Sequence, residues 1–184
     1  PKLKELTKKG NLYDDRELVI KVIFHVLLLD NIPNHLVDTE VSIKVYRKEV
    51  KKSDTLYADL LIVEVEPADN AKRNRFIFEF KSKGVNFLDL QIGGINSNWD
   101  VMERKANNVE TMSRKDVLQL KCNNSEKFDN GKTMREIFNG ACEQLLNYVS
   151  NLKDDDRQNH REFITLAFVV MAVGSRKLLW KKLA

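Results

Sequence analysis

The sequence has few of the residues that mark several classes of protein. Its 184 residues include two cysteines, seven glycines, three prolines and three histidines. Two cysteines are too few for a disulfide framework or a structural zinc site. The low glycine and proline content excludes collagen-like and linker-like chains. The histidines form no metal-ligand spacing with each other or with the cysteines. We therefore expect a reducing, intracellular setting.

Targeting signals and long apolar runs are also missing. Pro1–Glu5 carries no signal-peptide pattern, and no apolar run reaches the roughly 20 residues that cross a membrane, so no membrane partner is expected. No Met precedes Pro1, which is consistent with a domain excised from a longer protein, although removal of an initiator Met leaves the same start. With 42% apolar and 32% charged residues over this length, we predict a single domain, residues 1–184, with a hydrophobic core.

The excess of positive charge is small but unevenly distributed. The formal net charge is +4, which permits a polyanionic partner without requiring one. Five basic residues lie between positions 44 and 52, and both ends of the chain are basic as well. Basic segments of this kind can follow a phosphate backbone. We therefore predict nucleic-acid contacts at Lys44, Arg47, Lys48, Lys51 and Lys52.

Hydrophobic periodicity predicts that the chain begins with a helix and three strands. Residues 13–30 read as a helix that is apolar on nearly all sides and therefore buried. Residues 41–45 alternate between apolar and polar, and strand signals follow at 56–65 and 75–81. Turn residues between the last two segments favour a hairpin.

The rest of the chain changes character after the third strand. Residues 84–133 are polar and weakly periodic, and we interpret them as a long insertion. Helical spacing resumes at Met134 for about five turns, and 153–160 reads as a charged loop. The uncharged run 163–173 predicts a buried strand followed by a basic tail, in which Trp180 is expected to pack. The predicted fold class is α/β, with a central mixed sheet flanked by helices.

Three charged residues interrupt apolar strand segments. Asp59 lies within Tyr57–Ile62, and Glu79 and Lys81 lie within Phe76–Lys81. Because alternate residues of a strand share a face, Glu79 and Lys81 point one way and the phenylalanines the other. A hairpin would bring Asp59 beside Glu79, and two neighbouring carboxylates favour a hard cation such as Mg²⁺. The set suits metal-dependent phosphodiester hydrolysis. A salt bridge between Glu79 and Lys81 on a solvated sheet face is the alternative.

These two segments, YADLLI (Tyr57–Ile62) and FIFEFK (Phe76–Lys81), resemble the core of the PD-(D/E)XK nuclease superfamily. The similarity is to the branch found with AAA-type ATPase-like proteins and in large toxins of intracellular bacteria, including cytoplasmic-incompatibility factors. It covers roughly residues 13–82 and 134–180. The resemblance implies a restriction-endonuclease-like core with 84–133 as an unusually long insertion, and a bacterial effector delivered to a host cell.

The resemblance also implies roles for individual residues. Asp59 and Glu79 would bind Mg²⁺, for which Mn²⁺ can substitute, together with the backbone carbonyl of Phe80. Lys81 would orient or activate the attacking water. The substrate implied is DNA, with RNA less favoured. The full catalytic set carried over by position is Asp59, Glu79, Lys81, Gln144 and Glu17.

Other hypotheses explain the same residues differently. A catalytically degenerate module of this fold would bind protein or nucleic acid, and long insertions such as 84–133 often serve protein contacts. A basic nucleic-acid-binding domain without chemistry fits the charge but leaves Asp59 and Glu79 unexplained. Glu17 has a simpler explanation as part of a helix cap, and Gln144 as an amide at the edge of the core.

Overall fold

The computed structural model of the protein describes most of the chain after the first predicted helix. The helix predicted over 13–30 lies outside the described residues, and so do Glu17, Lys48 and Lys51. The described residues are 35–47, 52–65, 72–90, 98–123, 129–159, 161–174 and 176–184.

The described residues form three strands, then a group of helices, then two further strands. The elements are β1 (His35–Arg47), β2 (Lys52–Glu64), β3 (Arg73–Lys83), a 3₁₀ turn (Val85–Phe87), α1 (Asn98–Thr111), α2 (Arg114–Gln119), α3 (Met134–Gln158), β4 (Phe163–Val173) and β5 (Lys177–Lys182). The strands form one sheet in the order β1-β2-β3-β4-β5. The segments predicted as strands therefore all lie within observed strands or end one residue beyond them, and β4 has the predicted bounds.

The sheet is mixed. β2 pairs antiparallel with β1 on one side and with β3 on the other, so β2 and β3 pair as the predicted hairpin requires. Between β3 and β4, Arg75 contacts Thr165 and Phe78 stacks on Phe168 with ring centroids 5.3 Å apart. These partners advance in the same direction along both strands, so β3 and β4 run parallel. The protein is α/β with a five-stranded mixed sheet flanked by helices, which confirms that part of the prediction.

The charged stretch after the amphipathic helix is not the predicted loop. α3 continues to Gln158 and spans 25 residues, well beyond the five turns expected. Leu152 and Asp156 lie four residues apart on one helix face, and they are 7% and 6% exposed. The buried face therefore persists through the aspartate run. In the sequence, a carboxylate that forms a buried ion pair looks the same as a charged residue of a loop. The prediction of a loop over 153–160 was wrong for this reason.

The basic tail contains a strand that the sequence did not predict. Gly174 ends β4 with a φ of 61°, and the chain returns as β5. Leu179 is 1% exposed, whereas its neighbours Leu178 and Trp180 are 45% and 60% exposed. The expected packing of Trp180 is therefore wrong. Six residues with one buried position carry too little periodicity to identify a strand.

The segment between β3 and α3 builds a core of its own. It contains the 3₁₀ turn, α1 and α2. Isolated antiparallel β-bridges pair Leu88 with Cys122 and Lys121 with Thr133. α3 begins with a reciprocal cap, in which Thr133 and Glu136 bond to each other's backbone amides. The fully buried apolar residues of this part are Val85, Ala106, Val109, Val117, Cys122 and Met134.

The described residues divide into two compact units. One takes in Phe80–Gly140 and Val170–Trp180. The other takes in Ala141–Val169, Lys181–Ala184 and the described part of Lys21–Glu79. The prediction of a single domain stays a prediction.

A buried ion pair links α3 to the sheet within the second unit. The guanidinium of Arg75 donates to both carboxylate oxygens of Asp156, at 2.6 and 3.3 Å, and to the hydroxyl of Thr165 at 2.9 Å. It also lies 4.6 Å from the centre of the Phe163 ring. Arg75 and Asp156 are 4% and 6% exposed. Nearly every N–H group of the buried Arg75 guanidinium is directed at a partner. The ion pair with Asp156 and the bond to Thr165 therefore join β3, β4 and α3.

We expect Asp156→Ala to destabilise the protein by about 3–5 kcal/mol, because it leaves the buried Arg75 guanidinium without its counter-charge. The matched control is Asp154→Ala, whose carboxylate is exposed and lies 3.5 Å from Arg157. The control should lose less than about 1 kcal/mol. Urea unfolding of the three proteins measures the difference, and equal losses for the two variants would contradict the assigned role of Asp156.

The fold also restricts position 174 to glycine. A Cβ added there would lie 2.2 Å from Cγ1 of Val85, and φ is positive. We expect Gly174→Ala to cost about 2 kcal/mol or more, from the left-handed backbone and the overlap together. The control is Gly140→Ala in α3, where a Cβ meets nothing within 4 Å. That variant should gain about 0.5–1 kcal/mol from helix propensity. Thermal unfolding compares them, and a stable Gly174→Ala protein would show the prediction to be wrong.

Candidate active site

The register between β2 and β3 sets Asp59 opposite Glu79. The last pairs of that ladder are Leu61 with Ile77 and Leu60 with Phe78. Carried one residue further, the same antiparallel register places Asp59 directly across from Glu79. Cross-strand neighbours at such positions have Cβ atoms about 4.5–5.5 Å apart. The structure therefore brings these two predicted site residues to adjacent positions of the sheet.

The two faces of this hairpin are both largely buried. On one face Leu60, Ile62 and Phe80 are 0–1% exposed. On the other face Ile77 is 0% and Glu79 is 1% exposed, while Asp59 is half-buried. A solvated face at Glu79, the alternative considered from the sequence, is therefore wrong. Burial of a carboxylate is costly unless charges or hydrogen bonds compensate it, and both Asp59 and Glu79 have interaction partners in the protein.

Two lysines follow Glu79 on β3 and differ in environment. Lys81 comes two residues after Glu79, so strand alternation gives it the same face, and it is half-buried. Lys83 is 6% exposed, and its ammonium lies 3.0 Å from the Asp129 carboxylate. Burial by itself raises the pKa of Asp129, but hydrogen bonds and attraction from Lys83 and Lys132 outweigh it and hold that pKa below its ordinary value. Lys83 therefore has a structural partner in Asp129. Lys81, which shares the face of Glu79, stays the catalytic candidate predicted from the sequence.

Helix α3, which carries Gln144, presents Gln144 and Tyr148 differently. Tyr148 of α3 is 1% exposed, and burial raises its pKa to about 12, with Arg75 lowering it and Asp38 raising it further. Gln144 lies one turn earlier on α3 and is exposed. The prediction that Gln144 borders the core is therefore wrong, because Leu145 and not Gln144 takes the buried position. Its role near the carboxylates stays a prediction.

The described basic residues at the end of β1 and the start of β2 lie far from the carboxylates along the strand. Arg47 pairs with Lys52 at the end of the β1–β2 ladder. Asp59 lies seven positions after Lys52 on β2, which corresponds to about 23 Å at the rise of a strand. Lys44 is on β1, where it pairs with Thr55. Any nucleic-acid contact of Arg47 or Lys52 would therefore lie several nucleotides away from the carboxylate pair.

One acidic position was missed from the sequence. In the β1–β2 ladder Thr39 pairs with Leu60 and Val41 with Ala58, so Glu40 holds the position across from Asp59. Three acidic residues on three neighbouring strands thus occupy one level of the sheet: Glu40, Asp59 and Glu79. Alternation along residues 40–45 was visible in the sequence, but the β1–β2 register depends on a turn whose length it did not reveal.

The donor set can be compared with what a cation requires. Among the described residues, no group of three or more histidine, cysteine, aspartate or glutamate side chains could hold a metal ion. Mg²⁺ usually keeps several waters and takes only one or two protein carboxylates. Asp59 and Glu79 supply two hard oxygen ligands, and the Phe80 carbonyl is a third candidate. This set fits Mg²⁺ or Mn²⁺ and does not fit a zinc site.

The chain was also compared with known proteins. In the described part, no helix has the length and apolarity that crossing a membrane would need. Comparison with models of known families, with curated proteins and with solved structures finds no match to this chain.

Proposed function

We propose that the protein is a metal-dependent nuclease that hydrolyses phosphodiester bonds of DNA. The observation that carries the proposal is the β2–β3 register, which sets Asp59 across from Glu79, with Lys81 two residues further along β3. This order of a carboxylate, a second carboxylate and a lysine on adjacent strands supports the resemblance to PD-(D/E)XK nucleases. A restriction-endonuclease-like core belongs to the same proposal, as does the interpretation of residues 84–133 as an insertion.

Each residue has a part suited to its position. Asp59 and Glu79 would hold Mg²⁺, which polarises a phosphate oxygen and makes a bound water more acidic. Burial strengthens the electrostatic attraction of Glu79 for a cation, since little water screens it. Lys81 would orient the attacking water or offset the negative charge that develops on the phosphate. Gln144 and Glu17 are proposed as supporting residues of the same site.

The proposed substrate follows from charge. The chain is basic overall, with a net charge of +4, and DNA is a polyanion. Lys44, Arg47 and Lys52 lie on β1 and β2, so a DNA backbone that reached both them and Asp59 would extend along these strands. RNA is the less favoured substrate. A protein partner for 84–133 and delivery to a host cell remain parts of the proposal.

A second candidate function is a module of the same fold that binds without catalysis. It is favoured by the burial of Glu79, which is 1% exposed and has interaction partners within the protein. In such a module Glu79 would serve stability through its partners within the protein, and no divalent ion would bind. Because the two candidate functions differ in both properties, DNA cleavage and metal binding require separate experiments.

We expect Lys81→Ala and Asp59→Ala each to lower the rate of DNA cleavage by at least about 100-fold, since each removes a group that acts on the reacting phosphate or its water. A gel assay on linear and circular DNA, with Mg²⁺ or Mn²⁺, measures the rates. The matched control is Lys153→Ala, which removes an exposed lysine of α3 and should cut at the wild-type rate.

Two further measurements make this result interpretable. Thermal unfolding and DNA binding in EDTA should be nearly unchanged in Lys81→Ala, because the change removes chemistry and leaves the fold. Wild-type cleavage by purified Lys81→Ala would show that the assignment of Lys81 is wrong. Wild-type protein that binds DNA but never cuts it would favour the binding module.

We expect isothermal titration calorimetry to show binding of Mg²⁺ or Mn²⁺ to the wild type and its loss in Glu79→Gln, which keeps the size of the side chain and removes the charge. Glu143→Gln on α3 is the matched control, because Glu143 is exposed and the substitution is the same. The control should bind metal as the wild type does. No heat of binding in the wild type would contradict the metal site itself.

A further inference from the structure

The last strand carries an exposed aromatic surface. β5 ends the order of strands in the described sheet. Its residues Leu178 and Trp180 lie two positions apart on one face and are 45% and 60% exposed, whereas Leu179 between them is buried. Exposure of so much of a Trp is costly in water and often marks a binding surface. Trp180 is therefore available to a partner.

One basic residue contacts the backbone of Trp180. Nη1 of Arg114, the first residue of α2, donates to the backbone oxygen of Trp180 at 3.0 Å. The Arg114 guanidinium also lies 5.6 Å from the centre of the Phe138 ring. Both partners are neutral, and no carboxylate among the described residues pairs with Arg114 or with the adjacent exposed Lys115. We call Leu178, Trp180, Arg114 and Lys115 the β5 surface.

Some other basic residues of the same unit are neutralised by carboxylates. Arg176 lies 3.8 Å from Glu103 and 3.6 Å from Glu110, and Lys83 pairs with Asp129. Lys177, the first residue of β5, donates to the backbone oxygens of Glu110 and Met112 at 3.1 and 2.6 Å, which are neutral partners. The β5 surface therefore combines a flat apolar ring with positive charge that the described residues do not cancel.

We infer that the β5 surface binds single-stranded nucleic acid, with a base stacked on Trp180 and phosphates near the basic residues. Single strands offer both parts of the complement, since their bases are exposed and their phosphates are anionic. In a duplex the bases are stacked inside, so Trp180 would have no base to meet. A second copy of the chain is disfavoured, because lysines on an edge strand oppose strand-to-strand pairing. The inference rests on the proposed function and deepens it by naming the form of the polymer.

The test is binding of a fluorescein-labelled 20-nucleotide oligothymidylate, measured by fluorescence anisotropy in EDTA. Trp180→Ala should weaken binding at least about fivefold, since the base no longer has a ring on which to stack. Trp180→Phe keeps an aromatic ring and should restore most of the affinity. The matched control is Ile164→Ala, which removes an exposed apolar side chain of β4 that is 48% exposed in the wild type. It should bind as the wild type does.

A charge test and a duplex test complete the experiment. Arg114→Gln and Lys115→Gln should each flatten the salt dependence, by about 0.7 in the log–log slope for every phosphate that the protein no longer neutralises. The wild type should bind the oligothymidylate more tightly than the same strand paired with oligoadenylate, and Trp180→Ala should remove that preference.

Three results would overturn the inference: equal binding by Trp180→Ala, tighter binding of the duplex, or loss of a dimer in Trp180→Ala by light scattering. Because EDTA removes divalent metal, all of these outcomes are independent of cleavage. If Lys81→Ala cut DNA at the wild-type rate, a positive binding result for the β5 surface would still hold. Equal binding by Trp180→Ala would count against the β5 surface even in an active nuclease.

Discussion

The antiparallel register between β2 and β3 is the constraint on which the candidate chemistry depends. It pairs Leu60 with Phe78, and therefore sets Asp59 across from Glu79. A shift of one residue would exchange the faces of one strand and separate the two carboxylates. Apolar residues pack on both sides of this hairpin, so such a shift would also expose core residues such as Leu60. Core packing and the geometry of the candidate site are thus determined by the same hydrogen-bond ladder.

Charges on the buried face require partners, and helix α3 supplies one of them. Asp156 neutralises Arg75, and Tyr148 lies close enough for Arg75 and Asp38 to influence its pKa. α3 reaches this region because it continues through the aspartate run to Gln158. The stability of the sheet and the position of α3 are therefore coupled through a desolvated ion pair. Removing either partner of such a pair is costly, because the other charge stays buried without compensation.

Much of the fold followed from periodicity, and the misses have physical causes. The three strand segments and β4 were predictable because their apolar residues alternate or form uncharged runs. The end of α3 was not, since Asp156 lies in a run of charges and only its contact with Arg75 buries it. β5 was missed because a six-residue strand with three lysines looks like a solvated tail. Of the candidate site, Asp59, Glu79 and Lys81 were found from their apolar flanks, whereas Glu40 and the exposure of Gln144 were not.

The sequence alone determined the α/β class, the apolar strands and the three charged residues within them, because side-chain periodicity is a local property. It also indicated a basic chain suited to a polyanion. Tertiary structure decided which residues stand opposite one another, that Glu79 is buried, and that Trp180 is exposed beside Arg114. These properties depend on register and on contacts between residues far apart in the chain, such as Arg114 and Trp180. No local pattern encodes such contacts.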